Sequence, residues 1–147
     1  MSYFNKIQIK YFLIYKNYIN NNVFYITGSN EIDMHDIIYE KNNYFTFMNS
    51  FYQSGGFFTT LNCPGRVFSK IIIIDSYSEK EVIGIKIIDQ EAIQYSSLNQ
   101  PNISIENSIF FNNLVSSLNF DKEHGVAIYM DTYITTNISN TIISVIK

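Results

Sequence analysis

The 147-residue chain has one cysteine, two prolines, six glycines, no tryptophan and a single arginine, Arg66. A lone cysteine, Cys63, excludes an internal disulfide and a metal site built on cysteines alone. Its setting, Asn62-Cys63-Pro64-Gly65, reads as a turn. A nucleophilic cysteine needs an activating base beside it, and nothing in the sequence aligns His35 or His124 with Cys63. Charged residues make up only 16%, below the usual quarter. The net charge of −3 lacks the basic footprint of a nucleic-acid binder, and Lys6, Lys10 and Lys16 read as solvated strand faces. The longest purely aliphatic run is Ile71 to Ile74, far short of the ~18 residues of a membrane-spanning helix. The apolar patch from Tyr11 to Tyr15 is flanked by Lys and Asn and lacks a small-residue cleavage site, so it is a poor secretory signal. The sequence is compatible with a cytoplasmic protein or with a piece of a longer exported, cell-surface one. The N-x-[ST] triplets at Asn102 and Asn137 are expected by chance in an Asn-rich chain.

What remains is apolar, aromatic and amide-rich. Hydrophobic residues are 46% and aromatics 16%, which excludes a disordered chain, and the length suits one domain with a real core. There are 26 Ile and 18 Asn. Both use A/T-rich codons, so their abundance alone carries no functional argument. β-Branched and aromatic residues dominate over helix formers. Strands are predicted at Lys6–Tyr15, Val23–Thr27, Asp36–Tyr39, Tyr44–Met48 and Phe57–Thr60. Five more are predicted at Val67–Ile74, Val82–Ile88, Ile103–Phe111, Val126–Met130 and Thr141–Ile146. Asn-Asn, Gly-Gly, Pro-Gly and Asn-Gln-Pro breaks separate them. Gln90–Leu98 is the one helix candidate, and it reads equally as a loop.

Four segments superimpose: Met34–Asn42, Val67–Asp75, Ile105–Asn113 and Ile138–Ile146, with starts 33, 38 and 33 residues apart. Their first positions are apolar. Their third positions, Asp36, Ser69, Asn107 and Asn140, are small and polar. Their fifth positions are Ile38, Ile71, Ile109 and Ile142. A strand unit at this period cannot bury its apolar face alone, and stacking copies builds a continuous core. The pattern therefore predicts an all-β chain, a parallel β-helix (solenoid) fragment with stacked Ile inside. Asn107, Asn140, Asn112 and Asn113 suit its corners, because Asn tolerates left-handed backbone and can form amide ladders. Residues 1–30 read as N-terminal strands or a cap, and residues 31–147 as the repeat region of a single domain. An antiparallel β-sandwich is the alternative, since short strands at this spacing suit it too.

Phe110-Phe111-Asn112-Asn113 followed by Gly125-Val126-Ala127-Ile128 resembles the F-x-x-N and G-G-A-I repeat of the polymorphic outer membrane protein family. Val126 replaces the second Gly. Tyr39-Glu40-Lys41-Asn42 and Ser54-Gly55-Gly56-Phe57 look like a degenerate copy, with Phe57 in place of Ala, and the unit from Ile72 to Ile88 keeps the spacing without the motifs. The resemblance implies a right-handed parallel β-helix, usually part of a surface-exposed or adhesive protein, and brings no catalytic residues with it.

Enzymatic β-helices need carboxylates clustered on neighbouring solvent-facing rungs. The acids here fall mostly in predicted turns, the densest group being Glu31-Ile32-Asp33-Met34-His35-Asp36, which reads as a solvated turn rather than a metal site. Asp121-Lys122-Glu123-His124 reads likewise. No phosphate-cradling Gly loop, G-x-S-x-G or H-E-x-x-H occurs. Among the aromatics, Phe residues are expected inside, while Tyr44, Tyr52, Tyr77, Tyr129 and Tyr133 are equally suited to an exposed surface. The expectation is a non-enzymatic structural or adhesive surface without catalytic residues, cofactor or metal. Its partners would be protein or glycan, with end-to-end or edge self-association also open. The alternatives are a carbohydrate-active β-helix enzyme or its remnant, and a β-sandwich binding module.

Overall fold

A computed structural model describes residues 6–19, 23–44, 57–78, 83–89, 102–115, 127–132 and 134–145. All regular structure among them is β. Each pass of the chain repeats one plan. The first comprises β1 (Lys6–Tyr15), β2 (Tyr18–Ile19) and β3 (Phe24–Thr27). The second comprises β4 (Glu31–Glu40), β5 (Asn43–Tyr44) and β6 (Phe58–Leu61). The third comprises β7 (Gly65–Ile74), β8 (Tyr77–Ser78) and β9 (Ile85–Ile88). The fourth comprises β10 (Ile103–Glu106), β11 (Ile109–Val115) and β12 (Ile128–Asp131), and the fifth β13 (Thr136–Ser139) and β14 (Ile142–Val145).

Like strands lie beside like strands, and every ladder is parallel. One ladder runs β1, β4, β7, then β10 with β11, then β13 with β14. A second joins β2, β5, β8 and the end of β11, and a third joins β3, β6, β9 and β12. None of the described ladders has the antiparallel pairing that a meandering sandwich uses. Gln90–Leu98, the helix candidate, lies outside the described residues, as do Tyr52, Tyr133, His124 and most of Tyr44–Met48.

Left-handed backbone marks the bends. Tyr11, Asp36, Lys70, Asn107 and Asn140 all have φ between 46 and 57° and occupy one column of the first ladder. Lys16, Lys41, Asp75 and Asn112, with φ of 50 to 55°, form a second. Asn is the residue that tolerates this region best after Gly, and Asn107, Asn112 and Asn140 hold such corners as the sequence predicted. Asn140 Nδ2 donates to Asn107 Oδ1 at 3.3 Å, an amide ladder across two passes.

These corners shift the alternation of side chains by one residue. Ile32 and Met34 point inward before Asp36, and Ile37 and Tyr39 point inward after it. Uninterrupted alternation would have put Ile38 inside. Instead Ile38, Ile72, Ile109 and Ile142 form an outward column, with Ile38 38% and Ile142 58% exposed. The expected interior Ile stack is thus an outer one, and Ile72 rather than Ile71 belongs to it. The offsets between paired passes are 25, 34, 37 and 33 residues, one residue from the predicted spacing at the Val67 unit. Four consecutive isoleucines give no sign of which pair faces inward. Glu31–Asp36 is also strand rather than turn: Glu31 and Asp33 alternate outward from the inward Ile32 and Met34, and Asp36 takes the bend.

The interior combines Ile32, Ile71, Ile73, Ile85, Ile87, Ile103 and Ile105 with Tyr39, Phe57, Phe58 and Phe68, all buried, and the partly buried Phe24 packs against them. Phe58 meets Phe68 edge to face at 5.1 Å, and Phe57 contacts Tyr39 at 5.2 Å and Phe24 at 5.7 Å between ring centroids. Burying each such side chain contributes about 1.5–3 kcal/mol. Phe57, Gly84 and Ala127 immediately precede the paired residues Phe58, Ile85 and Ile128. Gly84 admits no side chain there: a Cβ would lie 2.1 Å from the Ala127 carbonyl oxygen.

Candidate interaction face

One column of amides and a hydroxyl holds neighbouring passes together. Asn17, Asn42, Ser76 and Asn113 occupy one column just past the second corner. Asn42 Oδ1 accepts from the Asn17 N–H at 2.9 Å, while its Nδ2 donates to the Ile14 carbonyl at 2.9 Å. Ser76 Oγ accepts from the Asn42 N–H, and Asn113 Oδ1 accepts from the Ser76 N–H at 3.1 Å. Asn113 Nδ2 donates to the Ile73 carbonyl at 2.8 Å. Phe110 and Tyr39, three residues before Asn113 and Asn42, are buried in a common column. An apolar anchor followed by an inward amide at the third place thus recurs at Tyr39/Asn42 and Phe110/Asn113, with the Ser76 hydroxyl taking the amide's place between them.

Arg66 is the buried exception. It stands between Ile32 and Ile103 in the first ladder, fully enclosed. Its two terminal nitrogens bond the two oxygens of Asp89, at 3.2 and 2.6 Å, and the Thr132 hydroxyl donates to the same carboxylate. The pair is bidentate and its carboxylate has a further donor, which offsets the cost of enclosing the charges, while Arg66 Nε has no hydrogen-bond partner among the described residues. Cys63 is buried, and burial pushes its thiol above the ordinary value. That leaves it protonated and a poor nucleophile.

The exposed acids are engaged one by one. Glu31 pairs with Lys6 at 2.6 Å, Asp33 accepts from Gln8 at 2.8 Å, and Asp36 lies between His35 at 2.7 Å and Lys70 at 3.4 Å. The His35 hydrogen bond, helped by Lys70, holds Asp36 below the usual carboxylate range. Glu31, Asp33 and Asp36 each face a different partner. Among the described residues, no group of three or more His, Cys, Asp or Glu side chains could hold a metal ion.

Outward of the first corner column, the two flanks of the same strands differ in chemistry. Before the bend the exposed columns are polar, led by Lys6, Gln8 and Lys10 paired to Glu31, Asp33 and His35. After the bend the column Leu13–Ile38–Ile72–Ile109–Ile142 crosses all five passes, and Leu13 is 65% exposed. Beside it run Tyr15, Glu40, Ile74, Phe111 and Ser144, with Phe111 51% exposed. At ~4.8 Å per strand this apolar face is about 19 Å long. Exposed residues of this size are unremarkable singly, but a contiguous set marks an interaction surface. Tyr77 and Tyr129 are half-buried, the latter with Lys86 Nζ 5.5 Å from its ring. Among the described residues the most exposed tyrosines are Tyr11 and Tyr18, at 78% and 77%. Neither was among the tyrosines singled out from the sequence, Tyr11 lying in the apolar Tyr11–Tyr15 patch and Tyr18 in the polar segment that follows it.

Comparison with protein-family models, with curated proteins and with solved structures finds no match to this chain. Among the described residues no helix is long and apolar enough to cross a membrane.

Proposed function

We propose that the chain is a right-handed parallel β-helix segment acting as a non-enzymatic interaction surface of a cell-surface or adhesive protein. Its partner docks on the Leu13–Ile142 face. Three parallel ladders repeated in the same order on successive passes support the winding, and parallel crossovers are right-handed in nearly all proteins. The recurrence of an inward aromatic and an inward Asn at Tyr39/Asn42 and Phe110/Asn113 supports kinship with the F-x-x-N repeat family. The observation that carries the functional reading is the uninterrupted outward aliphatic column. Aliphatic side chains dominate this face, which favours a protein partner over a glycan, since sugar rings are held by stacked aromatics.

Binding of the apolar dye anilinonaphthalene sulfonate tests the face. The wild-type chain should enhance its fluorescence, and the Ile38→Lys, Ile109→Lys double variant should lose most of that enhancement. The thermal midpoint should hold within a few degrees, because both side chains point outward. A wild-type chain that leaves the dye dark, or a variant that binds it undiminished, rejects this face as the surface.

A further inference from the structure

Two edges of the stack are chemically unlike and geometrically alike. Among the described residues β1 pairs only with β4, β13 only with β10, and β14 only with β11. Among the described residues each edge therefore presents unpaired backbone N–H and C=O groups. Edge strands in natural proteins are usually guarded by Lys, Pro or a bulge. Residues 134–145 contain no charged residue and no proline. Ile138 and Ile143, inward columns whose preceding members Ile105 and Phe110 are fully buried, are 47% and 48% exposed. At the opposite edge Phe12 is 45% exposed and Ile9 half-buried.

The two edges match in shape because they are the same strand position repeated. Each carries one left-handed bend, at Tyr11 (φ 54°) and at Asn140 (φ 46°). Following the ladder residue by residue, Ile9 and Ile138 belong to one inward column and Ile14 and Ile143 to another. They differ in charge. The first pass has Lys6, Lys10 and Lys16 and no acid among its described residues, whereas residues 134–145 of the fifth carry no charge at all. Two first-pass edges brought together would oppose lysines to lysines.

We infer that the β1 edge of one copy seats in parallel register on the β13–β14 edge of a second copy, so that the chain assembles head to tail. The junction continues the backbone ladder and covers Ile138 and Ile143 with the next copy's Ile9 and Ile14. It is heterologous and does not close on itself, so assembly proceeds beyond dimers. The inference rests on the strand edges and not on the outward apolar face.

Disulfide trapping tests it. Lys10 and Ser139 share one outward column, four ladder steps apart within a chain, or ~19 Å. Across the junction they would be one step apart, ~4.8 Å, within the Cα range of a disulfide. Lys10→Cys protein is mixed with Ser139→Cys protein under mild oxidation, the native Cys63 being fully buried. The expected product is the mixed dimer, in several-fold excess over either like dimer. The doubly substituted chain should give a ladder of oligomers. Adding Ile143→Lys to the Ser139→Cys protein should abolish trapping while its circular dichroism is retained. Statistical yields, a predominant Ser139→Cys homodimer, or trapping indifferent to Ile143→Lys would each overturn the inference. Sedimentation of the unsubstituted chain as a monomer at all concentrations would do so as well.

Discussion

Arg66 occupies a place that Ile32 and Ile103 hold on either side of it, and the difference is an enclosed charge. Asp89 neutralises it through two hydrogen bonds, and Thr132 completes the carboxylate. Removing only the cation strands Asp89 in the interior. Arg66→Met should therefore cost about 3–5 kcal/mol, whereas Arg66→Met combined with Asp89→Leu should recover most of it. Urea unfolding midpoints of the single and double variants measure the difference. The position was legible in part: Arg66 shares the parity of Phe68, so alternation alone points it inward. Its partner was not legible, because Asp89 lies 23 positions along the chain and beside a different ladder, a pairing that no local pattern encodes.

At the scale of the element, the bend decides which face of a strand is which. A non-glycine residue in the left-handed region costs about 1–2 kcal/mol relative to ordinary backbone, and Asn pays less than most. Lys70 holds such a corner at φ 53° with its side chain in solvent, where its contact to Asp36 is exposed. Lys70→Asn should stabilise the chain by about 0.5–1 kcal/mol, since a surface ion pair contributes little and Asn relieves the backbone. A rise in thermal midpoint of a few degrees would register it, and a fall would show that the Asp36 contact matters more than the backbone. The same corners explain what the sequence revealed and what it concealed. Asn107, Asn112 and Asn140 announced their bends, and strands such as Lys6–Tyr15 followed from composition. Tyr11 and Lys70 do not look like corner residues, so the one-residue shift they impose was invisible. That shift carries Ile38 and Ile142 out of the core and into the candidate face, and so the site itself was the least readable part of the chain.

For the whole molecule, charge is segregated along the stack, and two of the five ion pairs among the described residues, Lys6–Glu31 and Lys70–Asp36, join neighbouring passes. Asp36 is held below its ordinary 3.8 by His35 and then Lys70, and Lys6 above its ordinary 10.5 chiefly by Glu31. A depressed carboxylate stabilises the fold above its unfolded pKa and ceases to do so as pH falls through the folded one. A raised ammonium contributes fully below 10.5 and loses its contribution as pH rises through its folded value. The wild-type chain should therefore exceed Asp36→Asn in thermal midpoint at neutral pH, with the gap closing below 3.8. Lys6→Met should show the mirror behaviour in alkali. Both pairs are exposed, so the gaps should be small, and a gap that widens toward acid for Asp36→Asn contradicts the assignment.

The ladder hydrogen bonds run along the direction in which the passes are stacked, and Lys6 and Val145 lie in the strands at its two edges. Tension applied between those residues loads the bonds of one edge strand in sequence rather than all at once. Among the described residues each pass pairs only with its neighbours, the condition under which units can come away one at a time. The chain would thus yield to pulling by peeling off a pass at a time, lengthening in steps under a low, nearly constant force. A face carried on such a stack is left standing on whatever passes have not yet been drawn out.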